Sequence, residues 1–155
     1  MNRYSNIAVL FVIFLFAACI KKKSFSDVPE IKLVDFKVFS HQENSKNKAD
    51  SAYVTISFTD GDGDLGNPDS NALSMFLDYY EDQGSGFVYN NLTYSIYIPN
   101  LSPEGNNKAI EGTIQQKLNV PFYNEKSIYP YKYKIYVVDR AGHKSNVVET
   151  QSLTK

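Results

Sequence analysis

This chain of 155 residues has one cysteine, two histidines and no tryptophan, and each of these shortages argues against certain kinds of site. The single cysteine excludes a disulfide bond within the chain. The only histidines, His41 and His143, have no nucleophile or metal-ligand partner at a useful spacing. No zinc motif, P-loop or dinucleotide-binding fingerprint occurs in the sequence. We therefore do not expect an enzyme, and the lack of tryptophan argues against a carbohydrate-binding surface.

Positive charge is scarce outside the N-terminal region. All 17 acidic residues but only 12 of the 16 basic residues follow residue 24, so this part of the chain is acidic. An acidic region offers no electrostatic footprint for a phosphate backbone, and we do not expect nucleic-acid binding. The basic run Lys21–Lys23 precedes it. These lysines are expected either to lie on anionic lipid or to form a solvated linker.

The N-terminus carries Arg3 and then an uncharged apolar run over residues 7–18. As a helix this run would span about 18 Å, which is too short for a hydrocarbon core of about 30 Å. The pattern is typical of a secretory signal peptide. The alternative is an N-terminal membrane anchor that stays uncleaved.

The segment Phe16-Ala17-Ala18-Cys19 resembles the bacterial lipobox, although Phe16 stands where leucine is usual. The resemblance implies cleavage before Cys19, a diacylated thiol and an acylated new amino terminus. Two or three acyl chains are enough for stable membrane anchoring. We therefore expect a signal peptide at 1–18, a lipidated Cys19 with a tether at 19–30, and one domain at 31–155.

The residues after Cys19 bear on the destination of such a lipoprotein. Ile20 stands where an aspartate would signal inner-membrane retention in some bacteria, so the resemblance implies the outer membrane. Surface-exposed lipoproteins of Bacteroidota usually carry acidic residues soon after the cysteine, whereas Lys21–Lys23 follow here. This favours a periplasm-facing protein, with surface exposure as the alternative.

Aromatic residues and alternating patterns predict an all-β domain. The chain has 12 tyrosines and 10 phenylalanines, which favour strands. Apolar residues recur with period two, placing Val34 and Leu73 on inward faces; the 73–81 run is alternatively a short helix. We expect an antiparallel β-sandwich of about seven to eight strands. The predicted strands cover residues 31–39, 52–58, 73–80, 87–89, 92–98, 110–118, 131–137 and 147–153.

The most specific motif is an acidic glycine loop, Asp60-Gly61-Asp62-Gly63-Asp64-Leu65-Gly66-Asn67. Carboxylates at alternate positions repel one another, and glycines let the backbone gather them around a hard cation such as calcium. The spacing copies only the first half of an EF-hand, because Leu65 replaces the invariant glycine and Asn71 the final glutamate. Other oxygen ligands must complete the site. The predicted ligands are Asp60, Asp62, Asp64, Asn67, Asp69 and Asp139.

The same loop has a simpler interpretation as turn chemistry. Asp-Gly is a leading hairpin-turn dipeptide, and aspartate side chains cap turns locally. Both interpretations remain open from the sequence. If calcium binds, a structural role is favoured over a catalytic one.

Two segments resemble a group of uncharacterised lipoproteins from Bacteroidota. One is the run from Phe58 to Gly66; the other, Tyr133 to Asn146, is similar to the closing strands of bacterial immunoglobulin-like domains. The resemblance implies an immunoglobulin-like β-sandwich and no activity. Asp139, His143 and Ser145 lie close together in the second segment, where a hydrogen-bonded loop is expected rather than a catalytic triad.

These observations favour a non-enzymatic outer-membrane lipoprotein. It would act as a binding or structural module that holds an envelope protein or polymer, with calcium stabilising the fold. The alternative is a surface accessory module for glycan capture or uptake through tyrosines, since tyrosine is amphipathic and favoured at interfaces. A metal-dependent hydrolase is the least favoured interpretation.

Overall fold

The computed structural model describes residues 24–39, 51–102, 108–118 and 129–153. The predicted signal peptide, Cys19, Lys21–Lys23 and His41 lie outside the described residues. Within the described ranges the protein is all-β and contains no helix, and so no helix there could cross a membrane. The strands are β1 (Glu30–Phe39), β2 (Ser51–Asp60), β3 (Met75–Asp82), β4 (Phe87–Ile96), β5 (Ile110–Leu118), β6 (Tyr131–Val137) and β7 (Val148–Glu149).

The strands form two antiparallel sheets, as the sequence predicts for its fold class. One sheet has three strands in the order β1-β2-β5, and the other has four in the order β4-β3-β6-β7. A single hydrophobic cluster takes side chains from both sheets. Its buried members are Ile31, Phe36, Ala52, Val54, Ile56, Phe58, Leu65, Met75, Leu77, Tyr79, Ile98, Ile114, Leu118, Tyr133, Ile135 and Val137.

The central strands β2 and β6 follow the predicted alternation closely. Successive side chains of a strand point to opposite faces, so every second residue of β2 enters the core from Ala52 onward. The same parity carries the last residue of β2, Asp60, into the interior, where it is fully buried. A carboxylate therefore occupies a position that the sheet reserves for apolar side chains.

Two predicted inward positions are wrong. Val34 is 59% exposed because a register irregularity lies between Leu33 and Asp35, and an extra residue there reverses the facing of its neighbours. Leu73 is 48% exposed because it precedes β3, which begins at Met75. The 73–80 run is a strand from Met75 onward and not a helix.

β4 joins two strands that the sequence predicts separately, at 87–89 and 92–98. A bulge connects them: Thr93 pairs with Asp78 and Tyr89 with Tyr80, which leaves three residues of β4 opposite one residue of β3. Asn91 lies in this bulge with φ of 51°, in the left-handed region. The final strand is shorter than predicted, because β7 spans only Val148–Glu149.

One end of the domain, which we call the acidic pole, collects the acidic loop and the turn after β6. β2 ends there at Asp60, and β6 ends there at Val137, two residues before Asp139. Backbone contacts join the two turns, since the Arg140 amide donates to the Asp64 carbonyl oxygen at 3.4 Å. Asp60 and Asp139, which are 79 positions apart in sequence, thereby lie at the same end of the domain.

Candidate metal centre

Asp60 is the most deeply placed carboxylate at the acidic pole. Its side chain is fully buried, and its Oδ2 accepts a hydrogen bond from the Leu65 amide at 2.8 Å. Its Oδ1 is buried and has no hydrogen-bond partner among the described residues. A buried acceptor that lacks a donor is rare in folded proteins and calls for an explanation such as an ion.

Asp64 and Asp139 approach Asp60 from two different turns. The Ala141 amide donates to Oδ2 of Asp64 at 2.9 Å, and the His143 amide donates to Oδ1 of Asp139 at 2.7 Å. One carboxylate oxygen from each of Asp60, Asp64 and Asp139 lies within 4.8 Å of the others. Ligands of one calcium ion, each about 2.3–2.6 Å from it, lie at most about 5 Å apart. The three oxygens therefore fit a single ion.

Asp62 lies beside this group: its charge contributes to the raised pKa of Asp60, although it is not one of the three residues whose oxygens lie within 4.8 Å of one another. Its Oδ1 is buried without a hydrogen-bond partner among the described residues, as is Oδ1 of Asp64. Three buried oxygens, from Asp60, Asp62 and Asp64, thus lack donors within the described ranges. The four carboxylates of Asp60, Asp62, Asp64 and Asp139 form what we call the carboxylate cluster.

Burial and repulsion from neighbouring carboxylates make Asp60 and Asp64 resist ionisation. Burial, opposed by the Leu65 amide, raises the pKa of Asp60 to about 6, and the nearby carboxylates of Asp62 and Asp64 contribute to the rise. Burial and the charge of Asp139 raise the pKa of Asp64. The cluster is therefore a site of concentrated negative charge that a cation would relieve.

His143 is paired with the edge of the cluster. Its Nδ1 lies 2.9 Å from Oδ2 of Asp139, and this hydrogen bond and charge raise the pKa of the imidazole. Ser145 does not complete a triad: its Oγ donates to the Asn146 carbonyl oxygen and accepts from the Val137 amide. The turn is a hydrogen-bonded loop, as its sequence predicts.

Glycines at two positions allow the loop to pack against neighbouring backbone. Gly63 and Gly66 have φ of 72° and 83°, which disfavours any other residue. A Cβ on either would lie 2.1 Å from a carbonyl oxygen, that of Lys108 or that of Pro99. These glycines shape the path of the loop rather than merely making it flexible.

Two of the predicted ligands close turns instead of joining the cluster. Oδ1 of Asn67 accepts from the Asp69 amide at 2.9 Å. Oδ1 of the exposed Asp69 accepts from the amide of Asn71 at 2.9 Å. Turn chemistry therefore accounts for the second half of the motif. It leaves the donorless oxygens of the first half unexplained.

Arg140 is a participant that the sequence did not single out. Its Nη1 donates to the Gly66 carbonyl oxygen at 2.7 Å and to Oδ1 of Asn100 at 3.2 Å. Its positive charge opposes part of the rise in the pKa of Asp64. A lone arginine in a turn carries no signal of such a role. Its guanidinium holds the outer end of the acidic loop in place.

The tyrosines divide between the core and an outer face of the four-stranded sheet. Tyr133 is fully buried among the rings of other core aromatics. On the outer face Lys144 lies 3.6 Å from the Tyr136 ring centroid, and Lys134 lies 4.7 Å from that of Tyr80. Lysines thus cover ring faces that a sugar would need for stacking.

Comparisons with known proteins leave the chain unassigned. No protein family and no curated protein matches it. Among solved structures it is similar to the X-ray structure of Northeast Structural Genomics Consortium target SoR45, with 14% identity, 84% of this chain and 87% of that chain covered, and a TM-score of 0.22. A TM-score this low assigns neither family nor function.

Proposed function

We propose that the protein is a non-enzymatic, lipid-anchored module of the cell envelope whose β-sandwich is stabilised by calcium at the carboxylate cluster. The observation that carries the cation site is the set of three buried carboxylate oxygens without hydrogen-bond donors in the described part of the chain. Burying a charge without a partner is costly, and a bound cation supplies the partner.

Electrostatics gives the scale of this effect. Two unit charges about 4 Å apart repel by roughly 4 kcal/mol at an effective dielectric constant of about 20. One oxygen from each of Asp60, Asp64 and Asp139 lies within 4.8 Å of the others, so their charges repel, and the amides of Leu65 and Ala141 offset only part of the charge. A divalent cation replaces repulsion between the carboxylates with attraction to a common centre.

The ligand set favours calcium over other metals. All ligating atoms of the cluster are carboxylate oxygens, which suit hard cations rather than zinc or copper. Magnesium usually keeps several waters and binds through one or two carboxylates, whereas calcium accepts six to eight oxygens from flexible cages. Three carboxylates within reach of one ion, with a fourth beside them, match the calcium pattern.

The role of such an ion would be structural. Asp60 is the last residue of β2 in the three-stranded sheet and Asp62 and Asp64 follow it, while Asp139 follows β6 of the four-stranded sheet. A cation bound to all four would tie the two sheets together at one end of the core. This arrangement favours stabilisation of the fold over a metal-dependent hydrolase.

The strand order supports an immunoglobulin-like connectivity. If β1, β2 and β5 correspond to strands A, B and E, and β3, β6 and β7 to C, F and G, the two sheets contain A-B-E and C-F-G. β4 then lies beside C, where the variable-type domain has C′. We propose this assignment for the domain.

Lipidation of Cys19 remains the basis for placing the protein in the outer membrane, facing the periplasm. The partner would be an envelope protein or polymer. Glycan capture at the cell surface is the weaker alternative, because lysines cover the rings of Tyr80 and Tyr136 on the outer face.

Calcium titration tests the cation site directly. We expect calorimetry on the chelator-treated full chain in detergent to show a single calcium site, because one ion satisfies the cluster. Asp62→Ala combined with Asp64→Ala should abolish binding. Asp69→Ala is the matched control and should bind normally, since Asp69 lies outside the cluster. Absence of a binding isotherm for the wild-type chain at millimolar calcium would refute the site.

Replacing Cys19 tests the anchor. We expect Cys19→Ser to abolish incorporation of labelled palmitate and to leave the chain at the mass of the uncleaved precursor. The reason is that the acyl chains are attached through the Cys19 thiol and cleavage follows that attachment. A wild-type chain that carries no label and keeps residues 1–18 would support the uncleaved N-terminal anchor instead.

A further inference from the structure

The described end of the predicted tether lies against the acidic loop. The Gly61 amide donates to the Ser26 carbonyl oxygen at 2.7 Å. A Cβ on Gly61 would lie 2.4 Å from the Phe25 carbonyl oxygen and 2.7 Å from that of Ser26. Gly61 stands between Asp60 and Asp62, so the tether contacts the acidic loop directly beside two members of the carboxylate cluster.

The turn after β6, which carries Asp139, holds the start of β1. In the turn after β6, Oδ1 of Asn146 accepts from the Ile31 amide at 2.7 Å, and its Nδ2 donates to the Ile31 carbonyl oxygen at 2.9 Å. Between these two attachments Pro29 is buried. The chain from Phe25 to Ile31 is thus fastened at both ends to turns that carry cluster carboxylates.

We propose that the cation is also a latch for the membrane tether. With the carboxylates gathered around the ion, the Gly61 amide is held where it binds the Ser26 carbonyl. Without the ion, repulsion within the cluster loosens the acidic loop, and residues 24–29 detach from the domain. This proposal rests on the proposed cation site.

The latch sets how far the domain can move from the membrane. From a lipidated Cys19, five residues reach Ser24 and span at most about 17 Å when fully extended. If residues 24–29 detach, eleven residues reach Glu30 and span up to about 38 Å. Calcium would therefore hold the acidic pole close to the lipid surface, and its loss would roughly double the reach of the domain.

Proteolysis at Phe25 tests the latch. Chymotrypsin cuts after phenylalanine, and cleavage of a transiently opened segment follows the population of its open form. In full chain purified from membranes in detergent, we expect calcium to slow the release of the fragment beginning at Ser26 by about tenfold or more relative to chelator. A chromogenic peptide in each buffer corrects for the protease's own response to calcium.

Gly61→Ala separates the latch from the cation site. The φ of Gly61 is outside the left-handed region, so alanine suits the backbone, and the three atoms nearest to the added Cβ all belong to the tether backbone. We expect this variant to bind calcium by calorimetry and yet to be cut after Phe25 at the same rate with and without calcium. Asp69→Ala should keep the calcium protection of the wild-type chain.

The outcomes distinguish the latch from the proposed function. If the wild-type chain binds calcium but Phe25 is cut equally fast in both buffers, the latch is wrong and the cation site stands. If calcium does not bind, both are wrong. If Gly61→Ala fails to fold, hydrogen exchange at the Gly61 amide of the wild-type chain decides: the latch requires slower exchange in calcium, and equal exchange overturns it.

Discussion

Asp60→Asn should raise the melting temperature of the chelator-treated protein and remove its response to calcium. The substitution keeps the size and one carbonyl oxygen of the side chain while removing a fully buried negative charge. Without metal, that charge is repelled by Asp62 and Asp64 and disfavoured by burial. A neutral amide avoids both costs, so the metal-free domain gains stability from a change that disables its binding site.

The melting temperature of the wild-type protein, unlike that of Asp60→Asn, should respond to calcium. A ligand at about 100 times its dissociation constant stabilises the folded state by about 2.7 kcal/mol. For a domain of this size that is a rise in melting temperature on the order of 10 °C. Calcium-saturated wild type should therefore melt well above chelated wild type, whereas Asp60→Asn should melt above chelated wild type to the same extent in both buffers.

Asp69→Asn is the matched control for this experiment. It makes the same chemical change in the same loop, at an exposed side chain that closes a turn with Asn71. Asparagine also closes such turns, so we expect melting temperatures close to those of wild type in both buffers. Equal melting of the wild type with and without calcium would assign the entire acidic loop to turn chemistry.

The stability of the metal-free protein should fall as the pH rises from about 4 to about 8, contrary to the usual behaviour of carboxylates. The pKa of Asp60 is raised from its ordinary 3.8 to about 6, so between these values the folded state binds more protons than the unfolded state. Stability linked to that proton is present at low pH and lost through pH 6, an effect of roughly 2–3 kcal/mol.

The neighbouring histidine acts in the same direction. Its hydrogen bond to Asp139 raises the pKa of His143, so its contribution is complete below the unfolded pKa and disappears as the pH passes the folded pKa. With saturating calcium the free energy of unfolding should instead rise with pH, because protons then compete with the cation for the carboxylates.

Urea unfolding across this pH range, in chelator and in calcium, measures how the free energy of unfolding changes with pH in each buffer. Two curves with the same sign of slope would contradict a cation at the carboxylate cluster. Asp60→Asn provides the control, since it should flatten the chelator curve while leaving the contribution of His143.

The sequence predicts strands well where the ladder is regular and poorly where it contains an extra residue. β2 pairs with β5, and β6 pairs with β3, in unbroken register, and their alternation identifies the buried face. In β1 one extra residue reverses the facing of the residues beyond it and exposes Val34. In β4 Leu92 lies within the bulge and is exposed, while the residues beyond it keep their facing. A period-two pattern contains no information on where such a bulge falls.

In the candidate site, too, the sequence predicts the local part and misses the part that depends on tertiary contacts. The spacing of Asp60, Asp62 and Asp64 identifies a local cluster, because it depends only on neighbours in sequence. Whether Asp69 or Asp139 joins them depends on the path of two loops, which is set by contacts such as Gly66 against Pro99. Those contacts exist only after the sheets have packed.

The bulge in β4 would matter for a protein concentrated on a membrane surface, as we propose for this one. β4 is an edge strand of ten residues, and Val88 and Leu92 on it are 44% and 42% exposed. A straight edge of this kind would be a template for aggregation between copies crowded in two dimensions. The positive φ of Asn91 breaks its row of amides and carbonyls, so a second copy cannot extend the sheet in continuous register.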